Sequence, residues 1–176
     1  MSDSSPASDR HSHRQAAKRQ VSAAVVTVSD TRSTETDTGG ASVQQLLEAA
    51  GHRVVERRIV PDEPAAITAV FHELGGRSDV EALVFTGGTG IAPRDVTPDT
   101  LEPLLDRVIP GFGELFRALS YQEIGSAALL SRALAGLTQG RVVFVLPGSR
   151  GAVKLALEKL LLPELGHLVA EAVKTR

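Results

Sequence analysis

Residues 82–100 read ALVFTGGTGIAPRDVTPDT, and this stretch decides the class of fold. Its first four residues are all apolar, which is typical of a short strand buried on both faces of a sheet. A loop of threonine and glycine follows at once, and Pro98 then marks the start of a helix that Thr97 is predicted to cap. Strand, Gly-rich loop and helix in this order indicate an α/β protein.

The same alternation continues on both sides of this stretch. Short apolar runs predict further strands at residues 23–29, 53–60 and 141–146. Apolar residues at helical spacing predict helices that include residues 43–50, 67–74, 101–105, 112–119 and 153–173. Right-handed crossovers would place these helices over both faces of a mainly parallel sheet. Ligands bind beyond the carboxyl ends of such strands, where residues 29–38, 86–95 and 147–151 are expected to meet.

Composition limits the kinds of protein that this chain can be. Its 176 residues suffice for one domain, predicted at residues 21–176, after a disordered polar tail at residues 1–20. A formal charge of -2 provides no basic field for a nucleic-acid partner, and the absence of cysteine excludes disulfides and thiolate chemistry. The sequence shows neither the pattern of a signal peptide nor an apolar run of membrane-spanning length, so we expect a cytoplasmic protein with no membrane partner.

The Gly-rich loop consists of Thr86, Gly87, Gly88, Thr89 and Gly90. Glycines let main-chain amides approach a phosphate closely, and the threonine hydroxyls can donate further hydrogen bonds. A tight structural turn is the alternative, but five consecutive residues of threonine and glycine exceed what a turn requires. The loop lacks the lysine of a P-loop and the glycine spacing of a dinucleotide fingerprint. It therefore predicts a phosphate site for a small nucleotide-like ligand.

Two aspartates near the predicted strand ends are candidate metal ligands. Asp95 follows the Gly-rich loop, and Asp62 lies between a strand and a helix. A carboxylate beside a phosphate requires a cation, and Mg²⁺ commonly bridges one or two carboxylates to phosphate oxygens. The alternative for Asp62 is a turn that caps the next helix, and Asp99 is explained by the helix dipole. Arg94 is either a phosphate-neutralising group or a solvated surface residue.

Other polar residues carry weaker signals. The turn at Pro147, Gly148 and Ser149 could present further amides, with helix capping by Ser149 as the alternative. His52 and the other histidines are scattered along the chain and are predicted to lie on the surface.

Taken together, the motifs resemble the MoaB/Mog family of molybdenum cofactor biosynthesis proteins, from residue 21 to about residue 167. The segments that carry the resemblance are VTVSD (26–30), DTGG (37–40), IVPDE (59–63), TGGTGIAPRDVTPD (86–99), PGFGELFR (110–117), LSRALAG (130–136) and LPGS (146–149).

The resemblance implies a three-layer α/β/α fold that assembles as a trimer or a hexamer and binds molybdopterin. Active members of the family use Mg-ATP to adenylylate molybdopterin, release pyrophosphate, and precede a MoeA-like partner that inserts molybdate. The family's catalytic and metal-binding aspartates match Asp62 and Asp95, and its nucleotide loop matches residues 86–90. Residues in the family's other pocket motifs are Ser29, Asp37, Ser131, Pro147, Gly148 and Ser149.

The segment after Leu146 reads PGSRGA, which is similar to the MoaB branch of the family. The clearly enzymatic branch usually carries a second proline at this point. Three functions stay open: a molybdopterin adenylyltransferase, a non-catalytic molybdopterin-binding or scaffold protein of the same pathway, and a general nucleotide or sugar-phosphate binder. The presence of both aspartates favours the enzyme, because metal-assisted phosphoryl transfer requires such carboxylates.

Overall fold

Strands and helices alternate along residues 19–174, which are the residues that the computed structural model describes. Residues 1–18, which make up most of the predicted tail, and residues 175–176 lie outside the described part. The elements in chain order are β1 (Ser22–Val28), α1 (Thr38–Ala49), β2 (Arg53–Val60), α2 (Pro64–Gly75), β3 (Ala82–Thr86), α3 (Thr97–Leu101), β4 (Arg107–Val108), α4 (Pro110–Ile124), β5 (Leu134–Thr138), β6 (Arg141–Leu146), α5 (Arg150–Ala156) and α6 (Leu162–Ala172).

The described strands form one sheet in the order β2-β1-β3-β6-β5-β4. β1 is parallel to β2 and β3, and β3 is parallel to β6, which confirms the mainly parallel sheet. β5 is antiparallel to β6, and β4 is antiparallel to β5. These two strands complete one edge of the sheet and were not predicted. β5 reads LAGLT, and a methyl group at Gly136 would lie 2.6 Å from the carbonyl oxygen of Arg107. This strand therefore requires the small residue that weakens its sequence signal.

Two apolar clusters lie on opposite faces of the sheet. On one face, α1, α4, α5 and α6 contribute side chains that pack on residues such as Val25, Val84 and Phe144. On the other face, α2 packs on Val26 and Phe85. The apolar runs of the parallel strands are thus buried from both sides. This arrangement confirms the three-layer α/β/α fold.

Two helical regions differ from the sequence prediction. Residues 101–105 do not form one helix, because α3 ends at Leu101, a single 3₁₀ turn follows at Glu102–Leu104, and Leu105 is extended. The last helical region is continuous, but it contains a π-helical turn at Leu157–Leu161 just before Pro163. Proline lacks the amide hydrogen that an α-helix would require there, which accounts for the local change of hydrogen bonding. No helix in residues 19–174 is both long and apolar enough to cross a membrane.

The start of α3 also differs from the prediction. Thr97 does not cap this helix, since Val96 occupies the N-cap position and no side chain there accepts a hydrogen bond. The hydroxyl of Thr97 is instead buried without a partner among the described residues. It lies against the Gly-rich loop, where a methyl group on Gly88 would be 2.4 Å from it.

His52 is buried, so its predicted surface position is wrong. Only 8% of the residue is exposed, and its Nδ1 atom accepts a hydrogen bond from the amide of Val21 at 3.2 Å. An imidazole that accepts through Nδ1 must be unprotonated at that atom. Burial lowers the pKa of His52 below its ordinary value of 6.5.

This burial predicts a pH-dependent stability. The unfolded chain protonates His52 near pH 6.5, whereas the folded chain resists protonation until the pH is lower. The contribution of His52 to stability is therefore complete above that value and is lost as the pH falls. We expect the free energy of unfolding to decrease more between about pH 7 and about pH 5 in the wild type than in His52→Asn, whose amide oxygen can accept from Val21 without titrating. Coincident pH profiles from urea denaturation would contradict this.

Candidate functional site

A cavity of about 650 Å³ opens at the carboxyl ends of β1, β3 and β6. In the sheet order, β2 and β3 lie on opposite sides of β1, so the cavity is at a point where the direction of winding reverses. Ligand sites of open α/β sheets occur at such points. Every residue predicted for the site lines this cavity: Ser29, Asp37, Asp62, Thr86, Gly87, Gly88, Thr89, Gly90, Asp95, Ser131, Pro147, Gly148 and Ser149.

The Gly-rich loop contains two glycines in the left-handed region, Gly87 at φ 106° and Gly88 at φ 61°. The amide of Gly87 is bound to the carbonyl of Leu146 at 3.0 Å. The amides of Gly88, Thr89 and Gly90 donate no hydrogen bond to another described residue. Successive unbonded amides that line a concave surface are a known form of anion-binding site. The loop therefore has the geometry of a phosphate cradle.

The two threonines of this loop have different surroundings. The hydroxyl of Thr86 donates to the carbonyl of Pro147 at 3.1 Å and so holds β3 against the turn after β6. The hydroxyl of Thr89 has no hydrogen-bond partner within the described part of the chain. Of the two hydroxyls that the sequence offered as phosphate donors, that of Thr86 is already engaged, and that of Thr89 remains free.

Asp62 and Asp95 both lie against the Gly-rich loop. Methyl groups placed on Gly88 and Gly90 would be 2.8 Å from Oδ1 of Asp62 and 2.6 Å from Oδ2 of Asp95, respectively. In each carboxylate, Oδ2 accepts a main-chain amide, from Asp30 at 3.0 Å and from Ala92 at 2.9 Å. Oδ1 of each has no hydrogen-bond partner among residues 19–174. Both carboxylates are thus oriented by one oxygen and retain the other for a ligand.

The electrostatic surroundings of Asp62 favour a cation. Burial raises its pKa above the ordinary value of 3.8, and the nearby charges of Asp30 and Asp95 raise it further, against a hydrogen bond from the amide of Asp30 and the charge of Arg94. No group of three or more histidine, cysteine, aspartate or glutamate side chains in residues 19–174 is placed to hold a metal ion. A metal at this site would therefore have at most two carboxylate ligands.

Asp62 does not cap α2, which was the alternative predicted for its turn. Glu63 occupies the N-cap position of α2, and no side chain there accepts a capping hydrogen bond. Asp62 instead exchanges hydrogen bonds with Asp30, each carboxylate accepting the other residue's amide at 3.0 Å. Arg94 donates to Asp30 at 2.7 Å and lies 3.5 Å from Glu63. These contacts join the segment before Asp95 to the ends of β1 and β2.

Asp37 lines the cavity, but both of its carboxylate oxygens are engaged. Oδ1 accepts the amide of Gly40 at 2.8 Å and caps α1. Oδ2 accepts the hydroxyl of Thr27 at 2.8 Å and a guanidinium nitrogen of Arg57 at 3.0 Å. Only 3% of Asp37 is exposed. These contacts give it a structural role at the base of the cavity, while its predicted contact with a ligand stays a prediction.

Replacement of Asp37 tests this structural role. We expect Asp37→Ala to lower the free energy of unfolding by about 2–3 kcal/mol, since the helix loses its cap and Arg57 and Thr27 lose their partner. Asp37→Ser is the matched control, because serine can still cap the helix but cannot pair with Arg57, and its loss should be smaller. Urea denaturation measures both variants. Equal stability of Asp37→Ala and the wild type would contradict the assignment.

Three serines on the cavity wall accept hydrogen bonds from nearby amides. Ser149 Oγ accepts the amide of Ala152 at 3.3 Å, which confirms that Ser149 caps the following helix. Ser29 Oγ accepts amides in its own turn at 3.3 Å, and Ser131 Oγ accepts the amide of Ala133 at 3.4 Å. Because each oxygen only accepts, each hydroxyl hydrogen remains able to donate to a ligand.

One wall of the cavity was missed by reasoning from the sequence. It is apolar and comes from α4, the 3₁₀ turn after it and α5, through Phe116, Ile124, Ala127, Ala128, Leu130 and Ala152. Phe116 belongs to the helix predicted at residues 112–119 and is only 1% exposed. Helical spacing predicts which residues are apolar, but not which of them face a cavity. The complete site thus has polar groups, which are amides and carboxylates, and an apolar wall.

Comparison with known proteins agrees with this geometry. Residues 24–167 match the family described as "Probable molybdopterin binding domain". Molybdenum cofactor biosynthesis protein B of Halalkalibacterium halodurans is 49% identical over 165 residues, which cover 93% of this chain and 97% of the relative.

Solved structures show the same similarity. A crystal structure of a molybdenum cofactor biosynthesis protein B superimposes with a TM-score of 0.86 at 48% identity, covering 88% of this chain and 97% of that one. The tungsten cofactor synthesizing protein MoaB from Pyrococcus furiosus gives a TM-score of 0.79 at 37% identity, covering 89% and 99%. The chain therefore belongs to the MoaB/Mog family of molybdenum cofactor biosynthesis proteins.

Proposed function

We propose that this protein binds molybdopterin and adenylylates it with Mg-ATP, releasing pyrophosphate. One observation carries the proposal: a single cavity brings together the amides of Gly88, Thr89 and Gly90 and two carboxylates, and neither these amides nor one oxygen of each carboxylate has a partner within residues 19–174. Amides that point at phosphate and acids that can hold a divalent ion are the groups that nucleotide chemistry requires. Family membership supports molybdopterin as the acceptor.

The shape of the cavity supports two ligand parts of different polarity. Its volume of about 650 Å³ lies within the ordinary range for small-molecule sites. The apolar side, where Ile124 and Leu130 are exposed, can pack against a flat ring system, while the serine hydroxyls and loop amides can bind phosphate groups. We propose that the loop amides hold the phosphates of ATP and that Ser131 and Ser149 contact molybdopterin.

The reaction is a nucleotidyl transfer that requires no covalent enzyme intermediate. An oxygen of the terminal phosphate of molybdopterin attacks the α-phosphorus of ATP and forms a new P–O–P linkage. The bond from the α-phosphorus to the oxygen bridging to the β-phosphorus breaks, and pyrophosphate leaves with that oxygen. Because a phosphate near neutral pH is already ionised, no side chain has to remove a proton. The protein contributes positioning through Gly88, Thr89 and Gly90.

The two aspartates fit a magnesium ion. Mg²⁺ is commonly bound through one or two carboxylates together with substrate phosphates and water, and Asp62 and Asp95 supply that number of carboxylates. When bound, the ion neutralises charge on the phosphate oxygens of the nucleotide. The free Oδ1 atoms of Asp62 and Asp95 are the ones that would hold it. Burial is the main cause of the raised pKa of Asp62, and the positive charge of the ion would offset the smaller contribution from the charges of Asp30 and Asp95.

Product formation by the full chain tests the proposal. We expect a mixture of protein, molybdopterin, ATP and Mg²⁺ to yield pyrophosphate and adenylyl-molybdopterin in several-fold molar excess over protein, and omission of either substrate to abolish both products. Binding of molybdopterin without pyrophosphate release would support the non-catalytic binding or scaffold protein instead. Failure to bind molybdopterin would overturn the proposal and favour a general nucleotide or sugar-phosphate binder.

The same proposal includes two associations that family resemblance implies. One is assembly into a homotrimer or homohexamer, which light scattering measures directly. The other is transfer of the product to a MoeA-like partner for molybdate insertion, which co-purification in the presence of the product would detect.

A further inference from the structure

Arg132 contacts the Gly-rich loop from outside the cavity. Its main-chain amide donates to the carbonyl of Thr89 at 3.1 Å, and its Nε donates to the carbonyl of Gly90 at 2.8 Å. One terminal nitrogen, Nη2, donates to the carbonyl of Asp95. The other, Nη1, binds both carboxylate oxygens of Asp99 at 2.8 and 2.7 Å. One residue thus binds the main chain of the loop and of Asp95 together.

We infer that Arg132 is a positioning residue that sets the distance between the loop amides and the Asp95 carboxylate. This inference rests on the proposed function of the same site. Arg132 is not among the described residues that line the cavity, so it acts on a ligand only through the loop. Other residues bond the loop only at its start, through Thr86, the amide of Gly87 and the carbonyl of Gly88. Among the described residues, the hydrogen bonds to Thr89 and Gly90 come from Arg132 alone.

The chemistry of the guanidinium explains why arginine is required. It is planar and carries five N–H donors in a fixed geometry, so one group can bind carbonyls of residues 90 and 95 and a carboxylate together. A lysine at this position could bind one or two of these acceptors but could not hold all of them at fixed angles. Asp99, on the first turn of α3, anchors the guanidinium from the solvent side. The helix dipole was the predicted explanation for Asp99, and the contact with Arg132 gives this residue a specific partner as well.

Because Arg132 is adjacent to Ser131, the contacts also connect two walls of the cavity. Ser131 lines the cavity, and the amide of the next residue is bound to the carbonyl of Thr89. Movement of the loop would therefore alter the spacing between the loop amides and Ser131. A displacement of about 1 Å in a positioned group lowers a reaction rate by on the order of 100-fold.

The test compares Arg132→Ala and Arg132→Lys with the matched control Arg58→Ala. Arg58 forms ion pairs with Glu56 and Glu73 and does not line the cavity, so its loss removes a similar number of contacts. We expect kcat/KM for adenylyl-molybdopterin formation to fall on the order of 100-fold in Arg132→Ala, less in Arg132→Lys, and within twofold in Arg58→Ala. Added methylguanidinium should partly restore Arg132→Ala only.

Amide hydrogen exchange provides a readout that does not depend on activity. The bonded amides of Ala92, Asp95 and Thr97 report on the order of the segment that follows the loop. We expect them to exchange faster in Arg132→Ala, while amides of β1 and β6 keep wild-type rates. If the wild type makes no product, the proposed function fails, and this exchange pattern still decides whether Arg132 orders the loop.

Two results would overturn the inference. One is wild-type exchange at these amides together with, where product forms, activity within twofold of the wild type. The other is a uniform loss of protection across the sheet in both Arg132 variants, because that pattern indicates a role in overall stability.

Discussion

Asp95→Asn is expected to lower the rate of pyrophosphate release on the order of 1,000-fold without unfolding the protein. The asparagine side-chain oxygen can still accept the amide of Ala92, which the aspartate accepts at 2.9 Å, so the local turn should persist. What the variant loses is the negative charge beside the Gly-rich loop. A neutral amide binds Mg²⁺ far more weakly than a carboxylate, so charge on the nucleotide phosphates would remain uncompensated. Pyrophosphate release under saturating ATP measures the effect.

Asp79→Asn is the matched control for this variant. Asp79 is an exposed aspartate paired with Arg77 before the amino-terminal end of β3, at the end of the sheet opposite the cavity. Its replacement makes the same change in charge and should leave turnover unchanged. Near-normal turnover by Asp95→Asn would contradict the metal role, as would a loss of turnover that parallels a loss of folded protein in urea denaturation.

Gly87→Ala is expected to lower the free energy of unfolding by about 3–5 kcal/mol. A methyl group on Gly87 would lie 2.2 Å from the carbonyl oxygen of Val28, a contact that the backbone of β1 must move to relieve. The residue also has φ 106°, a conformation that alanine rarely adopts. Both effects act where β3 enters the loop, so nucleotide binding should be lost together with stability. Urea denaturation and equilibrium binding of ATP measure the two effects.

Gly51→Ala is the control that separates the two causes of the stability loss in Gly87→Ala, which are the steric contact and the unfavourable backbone conformation. Gly51 also has a positive φ, of 87°, but no heavy atom outside its chain neighbours lies within 4 Å of the added methyl group. This control should therefore lose only about 1–2 kcal/mol, which is the conformational contribution alone. Equal losses in the two variants would show that contact with Val28 contributes nothing.

Much of the fold was predictable because its signals are local. The strand at residues 82–86 and the loop after it form one continuous pattern, and the rule that ligands bind beyond parallel strand ends brought the right segments together. β5 was not predicted, because its close packing against β4 requires Gly136 at its centre and this glycine weakens the sequence pattern of a strand. The burial of His52 was not predicted either, because a single histidine carries no periodic pattern.

The candidate site was also predictable only in part. Residue type and position after a strand were enough to nominate Asp62, Asp95 and the Gly-rich loop, and each lines the cavity. Which oxygens are free was not predictable. Both oxygens of Asp37 and the hydroxyl of Thr86 are engaged within the protein, whereas Asp62 and Asp95 each retain one oxygen that is unbonded in the described part of the chain.

By itself, the sequence determined the order of the parallel strands and the main helices, the family and the chemical types of the groups at the strand ends. These properties depend on residues close together in the chain. The tertiary structure alone decided the pairing of Asp30 with Asp62, the apolar wall from α4 and the contacts of Arg132 with the loop. Those contacts join residues tens of positions apart, and their geometry follows from how the elements pack, which no local pattern of residues encodes.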